Sequence, residues 1–172
     1  GARFMSRCLG HFLKNEQREV TVLVATSGDT GGAVANGFYG VENVNVVILY
    51  PKGRVSPVQE KQLTTLGRNI TALEVEGSFD DCQRMVKQAF ADKDINDKRF
   101  LTSANSINVA RWLPQQVYYF LAYKQWKDKS VSPVVCVPSG NFGNICAGLL
   151  ANLTGLPLGH FIAACNVNDI VS

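Results

Sequence analysis

VLVATSGDTGGAVANGF, Val22 to Phe38, starts as a strand and ends as a helix. Its first half, read from Glu19 to Ala25, is apolar and β-branched, which suits a strand. Gly32 to Tyr39 suits a helix. Between them Gly28, Gly31 and Gly32 share a tight corner with Ser27, Asp29 and Thr30. Glycines let a backbone come close to a ligand, and the free N–H groups at a helix start favour an anion. Asp29 complicates that picture. Its carboxylate either stabilises the helix N-terminus by about 0.3–1 kcal/mol or faces a hydroxyl or phenol-like oxygen of a ligand.

Outward from this corner the pattern repeats. Strand character recurs at Val44–Tyr50, Ile70–Glu76, Phe100–Ala104, Val134–Val137 and His160–Ala164. Helical segments are expected over Ser56–Leu66, opened by Ser-Pro, and over Asp80–Phe90, a long Ile107–Trp126 and Gly143–Leu153. Phe4, Met5, Cys8, Leu9, Phe12 and Leu13 mark one more amphipathic helix at the start. Strands separated by helices predict an α/β fold, three-layered, with a mostly parallel doubly wound sheet and ligands at the strands' carboxyl ends. The polar stretch Lys127–Pro133 is the expected subdomain boundary.

A second corner, VPSGNFGN, also follows a strand and opens a helix. It brings Ser139, Gly140, Asn141, Phe142 and Gly143 to a helix dipole, a setting that favours phosphate. Neither corner reads GxGxxG or GxxxxGK[ST], which excludes the common nucleotide loops. Each taken singly is also what a plain tight turn looks like. A third cluster lies in SANSINVARWL, where Asn105, Ser106 and Asn108 open a helix and Arg111 follows a turn later. That is an anion site or an ordinary helix cap with a surface arginine.

Composition narrows the functional classes. With 172 residues, 46% of them hydrophobic, the chain can bury a core of ordinary size. A net charge of +3 with scattered Lys and Arg argues against a nucleic-acid surface. No apolar run is long enough to span a membrane, and no charged leader opens the chain. The five cysteines, Cys8, Cys82, Cys136, Cys146 and Cys165, form no CxxC pair and are expected to be reduced core residues of a cytoplasmic protein. Both ends look like interior positions of a longer chain.

The words GARFM, ATSGDTGGAVANGFYG, VNVVILYPKGRVSPVQEKQLTTLG, VEGSFDDCQRMVKQAF, SANSINVARWLPQQVYYF, VPSGNFGN and FIAACNVND follow one another from Gly1 to Asp169. In that order they closely resemble the threonine synthase family, pyridoxal-phosphate enzymes of the tryptophan-synthase-β fold group (fold-type II), in its bacterial and fungal form. The resemblance implies conversion of O-phosphohomoserine and water to threonine and phosphate. It implies that Gly140, Asn141, Phe142, Gly143 and Asn144 cradle the pyridoxal 5'-phosphate tail, with Asp29 near the cofactor's phenolic oxygen. Ser27, Gly28 and Thr30 are expected to hold the substrate carboxylate. Asn105, Ser106 and Arg111 are expected to take its phosphate.

The family's Schiff-base lysine is expected three residues before Gly1, so no catalytic residue is expected in this stretch and no turnover from it alone. By the same resemblance, residues 1–14 and 131–172 belong to a larger cofactor domain, the second part incomplete, and 15–130 form a smaller mobile one. The remainder of the same polypeptide is then the expected partner, with no nucleic acid, membrane or metal. Asn144 departs from the Asp usual after GNFG. The competing readings are a serine or threonine dehydratase, a cysteine synthase, and a non-catalytic phosphate-binding relative. The first two usually carry SGN in the first corner and need no phosphate site around Arg111.

Overall fold

The computed structural model describes residues 1–16, 18–106, 108–138 and 140–167. They divide into two compact units, Ala2–Asn105 and Gly1 with the described residues from Ser106 onward.

In the first unit the elements run α1 (Ala2–Phe12), β1 (Val20–Ala25), α2 (Asp29–Phe38), β2 (Val44–Pro51), α3 (Pro57–Thr64), β3 (Ile70–Val75), α4 (Phe79–Ala91), α5 (Lys93–Lys98) and β4 (Phe100–Ser103). The strands form one parallel sheet in the order β3-β2-β1-β4. Register places Val22 beside Val46, and Leu23 between Val47 and Ser103. Successive side chains of a strand point to opposite faces, so both faces of β1 need cover. Leu23, Ala25 and Leu49 pack on Cys82 and Val86 of α4. Val20, Val22, Val24, Val46 and Ile48 alternate with that set and are buried, as are Val34 and Phe38 of α2 and Leu63 of α3. Each such side chain contributes about 1.5–3 kcal/mol when removed from water. A parallel sheet covered on both faces is the doubly wound arrangement expected from the sequence.

Side chains close the connections. Asn69 donates to the carbonyls of Phe38 and Val44 (2.9 and 2.8 Å) and accepts from the Gly40 N–H (2.8 Å), tying the turn before β2 to the one before β3. Ser56 and Ser78 each form a reciprocal capping box, with Gln59 and Asp81. Helix α5 was absent from the sequence expectation. KDINDK has no apolar face, and its turn is held by the Asp92 carboxylate on the Ile95 N–H and by Asn96 bonding back to Ala89, Phe90 and Asp92.

The second unit holds α6 (Val109–Trp112), α7 (Gln116–Gln125), β5 (Val134–Pro138), α8 (Gly143–Leu153) and β6 (His160–Ala164), with β5 and β6 parallel. The parallel strands are thus shared between two sheets. The long helix expected over Ile107–Trp126 is corrected to two helices joined by a 3₁₀ turn at Leu113–Gln115. Pro114 has no N–H to donate and its ring clashes with the preceding turn, so the α-helical ladder cannot run through it. Ile107 itself lies outside the described residues. Ala151, Leu156 and Leu158 make the buried centre, with Tyr119, Tyr123 and Phe161 around them.

The cysteines need correction too. Cys82 alone is buried; Cys8 is half-buried, and Cys136, Cys146 and Cys165 are exposed free thiols. Burial pushes the Cys82 thiol above its ordinary value, followed by the effect of the Asp81 charge.

Candidate functional site

From β1 the sheet grows outward through β2 to β3, then the chain crosses to place β4 on the other side of β1. Open α/β sheets take ligands at the carboxyl ends of the strands where the order reverses in this way. Here β1 runs into Thr26–Thr30 and β4 into Ala104–Asn105, with Leu23 in register with Ser103. Four of the expected substrate residues, Ser27, Gly28, Thr30 and Asn105, therefore sit at one end of one sheet. The Asn105 side-chain oxygen is buried and has no hydrogen-bond partner among the described residues. Such an acceptor costs about 1–3 kcal/mol while it has no donor.

The SGDTG corner is braced from beneath. Buried Thr26 accepts at its hydroxyl from the N–H groups of Gly28 (3.0 Å) and Gly31 (2.8 Å). Gly28, the cap residue of α2, has φ 147° and ψ −85°, a conformation that penalises any Cβ. With no side chain of its own it cannot cap the helix, and Thr26 does so from outside. Ser27 and Asp29 are exposed and Thr30 half-buried, so the polar side chains line the open side. Asp29 is the first residue of α2, and its carboxylate accepts from the Gln59 amide at 2.7 Å. Thr26 and Gln59 escaped the sequence reading. Ser56-x-x-Gln59 does carry a capping-box pattern, which was legible as a helix start though not as a site contact.

In the second unit the GNFG corner opens α8. Phe142, buried, takes the left-handed conformation at φ 50° and ψ 20°, and its carbonyl accepts from Cys146. A non-glycine residue held there is strained by on the order of 1–3 kcal/mol and marks a shaped turn. Asn141 donates to the Ser106 hydroxyl at 2.7 Å, and Gly143 lies beside the Ser106 carbonyl and Trp112, where an added Cβ would meet them at 3.4 and 3.5 Å. Ser106, expected at the substrate phosphate, is thus in direct contact with Asn141, expected at the cofactor phosphate.

Asn144 is used twice: its side-chain oxygen accepts from the Ile145 N–H (2.9 Å), and its carbonyl accepts from the Tyr119 hydroxyl (2.6 Å). Tyr119 is a further residue that the sequence reading did not single out. The first turn of α8 carries no acidic side chain, and a Cβ at Gly140 would meet nothing within 4 Å. Open space above a turn of helix N–H groups suits the phosphate of a cofactor. Ser139 lies outside the described residues.

Arg111 sits on α6, which packs against α8. Asn108 caps α6 through the Ala110 N–H at 3.0 Å, and the Arg111 main-chain N–H bonds the Asn108 carbonyl at 2.8 Å. Burial pulls the Arg111 guanidinium below its ordinary value. It stays cationic at any physiological pH, and a half-buried cation adds an attraction for anions.

The sequence is 54% identical to the threonine synthases of Buchnera aphidicola (subsp. Acyrthosiphon pisum) and Escherichia coli, over 99% of this chain. The chain spans 40% of the length of these curated relatives. Among solved structures it is similar to the pyridoxal-phosphate-bound threonine synthase of Brucella melitensis, with a TM-score of 0.88, 43% identity and cover of 99% of this chain and 37% of that one. The Escherichia coli enzyme gives 0.85, 52%, 99% and 40%. Threonine deaminase isoform 2 of Solanum lycopersicum shares the fold at a TM-score of 0.66 and 17% identity, over 95% of this chain and 45% of its own. The family described as pyridoxal-phosphate dependent enzyme matches residues 1–169, and the chain belongs to that family.

Proposed function

We propose that the protein is a threonine synthase of the cytoplasm, converting O-phosphohomoserine and water to threonine and inorganic phosphate with pyridoxal phosphate. The observation that carries this reading is where the similarity falls. Identity and structural agreement are both high with threonine synthases, whereas the deaminase shares the fold at low identity.

In this reading the site residues divide the work. Gly140, Asn141, Phe142, Gly143 and Asn144 would hold the cofactor phosphate at the α8 N-terminus. When bound, the cofactor supplies an electron sink for charge that develops along the substrate's carbon chain. Ser27, Gly28 and Thr30 would bind the substrate carboxylate with the hydroxyls and N–H groups at the end of β1. Asp29 would accept a hydrogen bond from the cofactor's phenolic oxygen and hold the proton there. Asn105, Ser106 and Arg111 would receive the substrate phosphate, neutralise it as it leaves and keep competing water out.

The test uses the full-length protein. Purified with pyridoxal phosphate, it is expected to release threonine and phosphate in equal amounts from O-phosphohomoserine. Release of ammonia from serine or threonine, with no phosphate formed, would instead establish a dehydratase. Failure to take up the cofactor at all would establish a non-catalytic relative.

A further inference from the structure

Gln59 lies outside every cluster singled out from the sequence, yet it touches the centre of the SGDTG corner. Its amide oxygen accepts from the Ser56 N–H (3.2 Å) and the Ser56 hydroxyl (3.0 Å). A main-chain N–H can only donate, so the amide oxygen must face Ser56. The NH₂ end is thereby turned toward α2, where it donates to Asp29 Oδ1 at 2.7 Å. Gly28 lies against the same amide: a Cβ there would stand 2.5 Å from Gln59 Nε2. The cap of α3 therefore fixes a planar donor that fills the space beside Gly28 and holds the Asp29 carboxylate.

We propose that Gln59 is a positioning residue, orienting Asp29 toward the cofactor through the α3 capping box. This rests on the role given to Asp29 under the proposed function. The bond does more than decorate a surface, because one end of the amide is tied to the backbone and leaves the other no freedom to turn.

Two substitutions in the full-length protein separate positioning from capping. Gln59→Glu keeps the capping box, since a carboxylate also accepts from Ser56. It places an anionic oxygen where Asp29 has a donor. Ser56→Ala weakens the cap but leaves the Ser56 N–H to orient Gln59. The readouts are pyridoxal-phosphate affinity of the apoprotein by fluorescence titration, kcat, and the thermal midpoint of the apoprotein. Gln59→Glu is expected to weaken cofactor affinity about tenfold or more and lower kcat with a smaller effect on the midpoint, through loss of one charge-assisted hydrogen bond and repulsion of the Asp29 carboxylate. Ser56→Ala is expected to lower the midpoint and keep affinity within about twofold.

Wild-type affinity and kcat in Gln59→Glu would overturn the inference. So would parallel loss of affinity and midpoint in both variants, which would make Gln59 a cap and nothing more. A wild-type protein that takes up no cofactor fails the proposed function itself and the inference with it.

Discussion

Thr26→Val isolates what holds the SGDTG corner in shape. Valine keeps the volume of threonine and replaces one hydroxyl by a methyl. That hydroxyl accepts from two main-chain N–H groups, of Gly28 and Gly31, and all three residues are buried. A buried donor left without a partner costs about 1–3 kcal/mol, and loss of a helix cap costs about 0.5–2 kcal/mol. The Gly31 bond belongs to the second kind, because Gly31 is in the first turn of α2. The two together come to about 1.5–5 kcal/mol.

Thr26→Ser is the control: it keeps both bonds and loses the methyl that packs against Gly31, at about 1 kcal/mol. Urea unfolding measures the global effect, and amide hydrogen exchange at Gly28 and Gly31 measures the local one. Exchange at these sites should accelerate by about tenfold to a few thousandfold in Thr26→Val, at tenfold per 1.4 kcal/mol. If Thr26→Val stays within about 0.5 kcal/mol of the wild type, with both amides still slow, the corner is held by something other than Thr26.

Gly148→Ala should destabilise the second unit by up to about 2 kcal/mol: alanine gains about 1 kcal/mol of helix propensity but overpacking costs about 1–3 kcal/mol. The new Cβ would stand 2.5 Å from Tyr119 and 2.6 Å from Phe161, and Tyr119 is tied down by its bond to Asn144. A raised urea midpoint would mean that the rings give way. Asp81 is held at about 2, below its ordinary 3.8, by the N–H and hydroxyl of Ser78 and by Arg84. Its carboxylate should therefore add stability that is complete above about pH 4 and lost as the pH falls from 4 toward 2. Asp81→Asn should flatten the thermal midpoint over that window, and an unchanged acid slope would count against the capping box as its source. Arg111→Ala should raise KM for O-phosphohomoserine about tenfold or more and leave cofactor affinity within about twofold. Equal loss of both would mean that the two phosphate sites are confused.

How much of this was legible in the chain varies with the range of the interaction. β1, the glycine corner and α2 could be read because hydrophobic periodicity and glycine placement are local signals, and β6 and α8 were found to the residue for the same reason. Pro114 announced that the long helix was in trouble. That the break takes the form of a 3₁₀ turn followed by a fresh helix depends on how the segment packs against α8. Helix α5 was invisible, being short, charged and stabilised by side-chain bonds rather than by a buried stripe. Cys136 in VVCVP and Cys165 in FIAAC are exposed against expectation, since an apolar run does not say which of its faces is covered.

The sequence by itself determined the parallel α/β pattern, the two helix starts that suit anions, and the family to which those words belong. Only the tertiary structure decided that Gln59 meets Asp29 across 30 positions and that Ser106 meets Asn141 across 35. The reason is physical: propensity and periodicity act over a few residues, whereas a hydrogen bond between distant side chains exists only after the backbone has closed the loop that joins them.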